Sequence, residues 1–337
     1  MKKIILLIIC FISFSYKVNA SFIVMNQDNH EVLSGDNIHQ KRLIASISKV
    51  MTAYIVIKYT DINKYVTISE EVLKSHGSSI YLKVGERIKV KDLLYGLLLR
   101  SGNDAALALA LYASSSVDDF VKLMNKEANL IGMKDTLFQN PSGLDDEDSS
   151  NISTAYDMAL LTSTAMKNNV FKDIFKTKKY TVKTNLNYHI WYNKNKTLFL
   201  SKYITGGKTG YTKKAKRTLI TTASKDNMNV VAVTLNQADD FRFHLEKYKN
   251  IFLNYKNYLL FNRYMIKADN KHIKNKYLYS KNNFYYLCKE SDLENISSIY
   301  NIYKMNNYIN NTIVGEVIIK KKDEILFKEP IYYFKPN

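Results

Sequence analysis

Positions 46–59 read Ser-Ile-Ser-Lys-Val-Met-Thr-Ala-Tyr-Ile-Val-Ile-Lys-Tyr, with Lys49 and Lys58 as the only charges. The length and apolar content predict a helix over 46–59 with most of its circumference in a core, so the rest of the chain must wrap it. A lysine near the start of such a helix is costly to bury, and losing its proton relieves the cost. Residues three apart on a helix share a face, with Cβ atoms about 5–6 Å apart, which sets the Ser46 hydroxyl beside the Lys49 amine. A neutral amine there can take the hydroxyl proton and activate the oxygen as a nucleophile. No other serine in the chain is followed three residues later by lysine. A neutral share at pH 7 requires lowering the amine roughly 3 units from about 10.4, on the order of 4 kcal/mol. A positive helix end and a second cation nearby would supply part of that.

Lys208-Thr209-Gly210 offers the second cation. It follows Gly206-Gly207 and precedes Tyr211-Thr212, which reads as a strand opened by a tight glycine turn. Lys208 with the Thr209 hydroxyl suits a terminal carboxylate. Gly210 leaves the strand edge open to the backbone of an incoming peptide. Ser101-Gly102-Asn103 interrupts two helical stretches; its serine can relay a proton and its asparagine amide can bind a peptide carbonyl. Taken singly, these segments are equally well an ordinary hairpin and an ordinary turn.

Around them the spacing predicts an α+β plan: an antiparallel sheet backed by a helical cluster. Strands are expected over 22–25 and 31–33, and as a pair over 218–223 and 229–235 joined by the turn 224–227. Helices are expected over 90–99, 105–112, 117–131 and 240–252. Beyond about 261 the composition turns to tyrosine, asparagine and lysine. Short strands are expected there over 277–279, 284–287, 312–319 and 324–327. The chain thus divides into 21–258 and a small β-rich domain over 259–337.

Lys2 and Lys3 precede an apolar run over 4–14, and Val18-Asn19-Ala20 offers a cut before Ser21. That run is well short of the roughly 20 residues that span a bilayer, so 1–20 reads as a secretory signal and the protein as exported, to the periplasm or the outer face of the cytoplasmic membrane. Removing it leaves Cys288 as the single cysteine, which excludes an internal disulfide and leaves stability to the core. The formal net charge is +18, but the lysines lie along the whole chain rather than in a patch. No specific nucleic-acid partner is expected; peripheral contact with a membrane or an anionic cell-wall polymer is.

Together, Ser46-x-x-Lys49, Ser101-x-Asn103 and Lys208-Thr209-Gly210 resemble, in order, the S-x-x-K, S-D-N and K-T-G set of penicillin-binding proteins and class A β-lactamases. Ala45–Ala53 is similar to the nucleophile helix of the low-molecular-mass D-alanyl-D-alanine carboxypeptidases. Gly77-Ser78-Ser79, residues 101–106, Asn140-Pro141-Ser142-Gly143-Leu144, residues 153–159 and residues 205–212 are similar to further segments of that family. The resemblance spans about 21–235. It implies a β-lactamase/transpeptidase-like catalytic domain and a substrate of peptidoglycan stem peptides ending in D-Ala-D-Ala. It also implies β-lactams as covalent inhibitors, and no metal or organic cofactor.

Carried onto these positions, Ser46 is the nucleophile, Lys49 the general base and Ser101 the proton relay. Asn103 holds the substrate amide, Lys208 and Thr209 bind its carboxylate, and Gly210 gives the strand edge room. The backbone N–H groups of Ser46 and Tyr211 form the oxyanion hole. Two departures stand out: Ile44 where the family has proline, and Lys216 where it has glycine. The acidic run 145–148 reads as a solvated loop, and His76 as a surface residue beside the cleft. Pro330 and Pro336 block a C-terminal membrane helix of the kind many relatives carry. The same chemistry also serves a D,D-endopeptidase or a β-lactamase; the latter needs a carboxylate-activated water, and no convincing loop for one lies between Ser101 and Lys208. A silent peptide-binding module has no use for a buried amine beside a serine.

Overall fold

The computed structural model describes residues 20–145, 149–269, 271 and 273–336. The signal reading over 1–20 therefore lies, but for Ala20, outside the described residues, and so does the acidic run beyond Asp145.

The larger, N-terminal part is built on a five-stranded antiparallel sheet in the order Val32–Asp36, Ser21–Asn26, Met228–Leu235, Lys216–Lys225, Ile204–Thr212. The β-branched runs of the third and fourth strands pair as expected, Ile220 opposite Val233 and Ala223 opposite Val230. Strict alternation is absent from their sequence because both faces of the sheet are covered. Ile23, Met25, Val231 and Val233 point into the main core with α5 (Ala155–Ala165) and α1 (Lys49–Tyr59). Val24, Val230 and Ala232 point the other way, against Tyr248 and Ile251 of α8 (Asp240–Asn254).

The apolar stretch 46–59 is the axis of the main core. Val50, Met51, Ala53, Ile55 and Val56 are all fully buried, each larger one contributing roughly 1.5–3 kcal/mol of transfer energy. The expected single helix is divided. Ala45–Ser48 forms a 3₁₀ turn and α1 begins at Lys49. The three-residue spacing survives, because side chains three apart eclipse in a 3₁₀ turn.

Helix α2 (Val90–Tyr95) runs into a turn of π-helix, Gly96–Arg100, which delivers Ser101 with φ +67°. Helices α3 (Asn103–Ala113) and α4 (Val117–Ile131) follow, then α5, the short α6 (Asn169–Phe175) and α7 (Thr197–Leu200). A hairpin, Lys179–Lys183 with Tyr188–Tyr192, was not expected from the sequence. It braces the π turn: Tyr180 stacks on Tyr95 at 3.7 Å and donates to Asp92 at 2.5 Å, while Trp191 packs beside Gly96.

The C-terminal residues form a four-stranded sheet, Leu278–Tyr279, Glu324–Tyr333, Ile313–Lys321, Ile296–Ile302, around Phe261, Val317, Ile319 and Ile331. The limit expected at 258/259 falls inside the strand Tyr255–Phe261, which pairs with Phe284–Lys289. Pro330 sits within a strand, in a stretch where only the Ile313–Lys321 strand pairs with it, so its missing N–H costs no ladder bond on the other side. Among the described residues no helix is long and apolar enough to cross a membrane.

Candidate active site

Ser46 stands at the floor of a groove of about 440 Å³, with Ser101, Thr209, Gly210, Tyr211 and Lys194 around it. Its position is set by an unfavourable backbone. Ala45 has φ +49°, in the left-handed region that costs a non-glycine residue about 1–2 kcal/mol. Packing enforces it: a Cβ on Gly143 (φ +74°) would lie 1.9 Å from the Ala45 carbonyl oxygen, so only glycine fits there. Ser48 Oγ donates to that same carbonyl at 2.8 Å. The Ile44 N–H donates to the Asn151 carbonyl at 3.2 Å, a bond the family's usual proline cannot make.

The Lys49 amine is wholly buried and has three partners: Ser46 Oγ at 3.1 Å, Asn103 Oδ1 at 2.7 Å and the Ser142 carbonyl at 2.5 Å. Burial above all, then the charge of Lys194, lowers its pKa to about 7, with Asp104 pulling the other way. Two of the partners are acceptors only. A neutral amine can donate to both and keep its lone pair for the one partner that owns a proton, the Ser46 hydroxyl.

The second amine, Lys208, is also buried; it donates to Ser101 Oγ at 2.9 Å and to the Thr209 carbonyl at 2.6 Å. Burial, then Lys49 and Lys194, hold its pKa well below the ordinary lysine range. A bound carboxylate would return the charge to it. Lys208 lies on the edge strand of the sheet, and the expected tight turn before it is absent. Gly206 and Gly207 belong to the strand, where Phe175 and Asn195 press so close that no Cβ fits. Farther along, a Cβ on Gly210 would lie 3.0 Å from the Ser46 amide nitrogen, so the strand backbone passes directly beside the Ser46 N–H.

Asn103 opens α3 and sits beneath the groove. Its Oδ1 holds Lys49 and one amide N–H holds the His76 carbonyl at 2.5 Å, which leaves its second amide N–H to give. Asp145 accepts from Thr212 at the far end of the edge strand.

Three contributors were not assigned from the sequence. Lys194 is the cation acting most on Lys49, a part expected of Lys208. Its loop is tied to both neighbouring elements, the Lys194 N–H donating to the Leu99 carbonyl at 3.1 Å and Asn195 Nδ2 reaching the Gly206 carbonyl at 3.5 Å. Asp104 collects Ser79 Oγ at 2.6 Å and the N–H groups of Ile80 and Leu82 at 3.1 Å, fixing the wall over the groove. On the opposite wall Arg217 donates to Asp240 at 2.5 Å.

A serine held by a buried lysine, a second lysine on a serine, and an open strand edge beside the first serine are the parts of a serine hydrolase of the acyl-transfer type. The sequence model of the D-alanyl-D-alanine carboxypeptidase family, Peptidase S11, matches residues 15–239. D-alanyl-D-alanine carboxypeptidase DacF of Bacillus subtilis is 30% identical over 92% of this chain and 84% of its own. DacA of Escherichia coli is 33% identical over 64% of this chain and 55% of its own. Penicillin-binding protein 6B of Escherichia coli superposes with a TM-score of 0.74 at 25% identity, covering 92% of this chain and 93% of that one. DacD from Francisella tularensis superposes with a TM-score of 0.70 at 25% identity, covering 94% and 92%. The chain belongs to the D-alanyl-D-alanine carboxypeptidase family, and is a serine-type carboxypeptidase of the penicillin-binding fold.

Proposed function

We propose that the groove removes the terminal D-alanine from peptidoglycan stem peptides through an ester on Ser46, and that β-lactams acylate the same oxygen. The observation carrying the residue roles is the Lys49 amine, whose three partners include a single proton donor, Ser46. An extended peptide lies along the Ile204–Thr212 edge with its carboxylate at Lys208 and Thr209. Lys49 takes the Ser46 proton as Oγ attacks the carbonyl of the penultimate residue. The oxyanion meets the N–H groups of Ser46 and Tyr211, each such donor worth roughly 3–4 kcal/mol. As the C–N bond breaks, Ser101, held by Lys208, gives its proton to the departing amine and takes one from the Lys49 ammonium, which leaves Lys49 neutral again. Water, deprotonated by Lys49, then hydrolyses the ester. Asn103 positions Lys49 and offers its remaining N–H to the substrate amide.

In this reading 21–258 is the catalytic domain and 259–337 an accessory one, while 1–20 directs export to the extracytoplasmic side. Intact-protein mass spectrometry after penicillin exposure tests the chemistry. A stable adduct of one equivalent is expected on the parent and none on Ser46→Ala. Labelling that survives this change would move the nucleophile elsewhere. D-alanine release from a pentapeptide ending in D-Ala-D-Ala tests the substrate.

A further inference from the structure

At the opposite end of α8 from the groove lies an apolar hollow of about 420 Å³, lined by Leu200, Ile204, Leu245, Tyr248 and Phe252. Its floor is continuous with the core between α8 and the sheet, but its rim is open. Leu200 is 65% and Leu253 75% exposed, and Phe199 beside them is 53% exposed. Single exposed apolar residues are ordinary on a soluble protein; several large ones round one hollow mark a docking face. Lysines stand among them. Lys225 and Lys249 line the hollow, Lys202 lies over the Tyr203 ring at 5.3 Å, and Lys178 over Phe199 at 5.5 Å. Among the described residues no carboxylate lines the hollow. Among the described residues the one ion pair these four lysines make is Lys225 with Asp226, at 3.8 Å.

We propose that this face seats the protein on an anionic lipid surface, with Phe199, Leu200 and Leu253 entering the acyl boundary and the lysines meeting headgroup phosphates. Apolar knobs ringed by ammonium groups match the two layers of such a surface, hydrocarbon below and negative charge above. The hollow has room for part of an acyl chain. The placement also suits the chemistry. Asp240 and Phe241 at the start of α8 line the catalytic groove, while Phe252 and Leu253 at its end line the hollow. Thirteen helical steps separate Asp240 from Leu253, about 20 Å at 1.5 Å per residue, so docking at one end leaves the other open.

Flotation with vesicles tests this, using the full chain and, in parallel, the chain beginning at Ser21 so that the N-terminal apolar run takes no part. Binding to phosphatidylglycerol-rich vesicles at low salt is expected to exceed binding to phosphatidylcholine vesicles by about tenfold, and to weaken at high salt. The pairs Leu200→Ser with Leu253→Ser, and Lys225→Glu with Lys249→Glu, should each lose most of that binding. Their circular dichroism and their activity on a soluble pentapeptide should match the parent. Equal binding to both vesicle types would overturn the proposal, as would binding kept within twofold by both variants. Failure to float together with self-association abolished by Leu253→Ser would assign the face to a second copy instead.

Discussion

Lys49 carries a pH response whose sign follows from its burial. Its amine is protonated below about pH 7 and neutral above, and only the neutral form can take the Ser46 proton. Pre-steady-state acylation by penicillin should therefore rise about tenfold per pH unit up to about 7 and then level off. A profile flat across neutral pH would remove Lys49 as base. The same group contributes stability that increases with pH between about 7 and its ordinary 10.5, because the unfolded chain holds the proton longer than the folded one. Replacing Lys194 with methionine should move the acylation midpoint upward, while Lys194→Arg should hold it. At Lys216 the backbone has φ +58°, which explains why glycine is usual there. Lys216→Gly should stabilise the fold by about 1 kcal/mol in chemical denaturation. The serine and lysine pairs were legible because a motif is made of residue types at fixed spacing. Lys194 was not, since its charge acts through space from a distant loop, and the Ser142 carbonyl was not, since a backbone oxygen has no letter.

At the scale of elements, the buried helix was plain from its composition, but its division was not. A serine three before a lysine fits a 3₁₀ turn and an α-helix equally, so the sequence could not show that Ala45 turns left-handed. The reason lies about a hundred residues on, in Gly143. Gly143→Ala should drive the two segments apart, and its acylation rate should fall about a hundredfold or more, since a displacement near 1 Å is enough for that. An unchanged rate would mean the 143 loop does not hold Ser46. The hairpin Lys179–Tyr192 escaped because its outward face carries Ile190 and Tyr192 while its inward face carries His189, paired to Glu86 at 2.6 Å. That blurs the apolar alternation by which a strand is read.

Over the whole molecule, the α+β plan and the shift to a β-rich end were legible, but the way the two halves meet was not. Leu287 of the C-terminal strand Phe284–Lys289 packs into the core between α8 and the sheet, and Tyr286 donates to Glu31 at 2.6 Å. Its neighbour Cys288 is buried, with its thiol pushed up to about 11. Thiol labelling at increasing denaturant should therefore share one midpoint with the loss of penicillin acylation; separate midpoints would show that this strand opens on its own. The edge strand Ile204–Thr212 has a wider consequence. In the proposed mode of binding, substrates add to that edge as a strand, so it stays uncapped, and an uncapped edge is an invitation to its own kind. Lys213, Lys214 and Lys216 crowd the end of it. Their mutual repulsion between two approaching copies keeps the place vacant for a peptide, so screening by concentrated salt should bring on slow self-association that occupancy by a β-lactam suppresses.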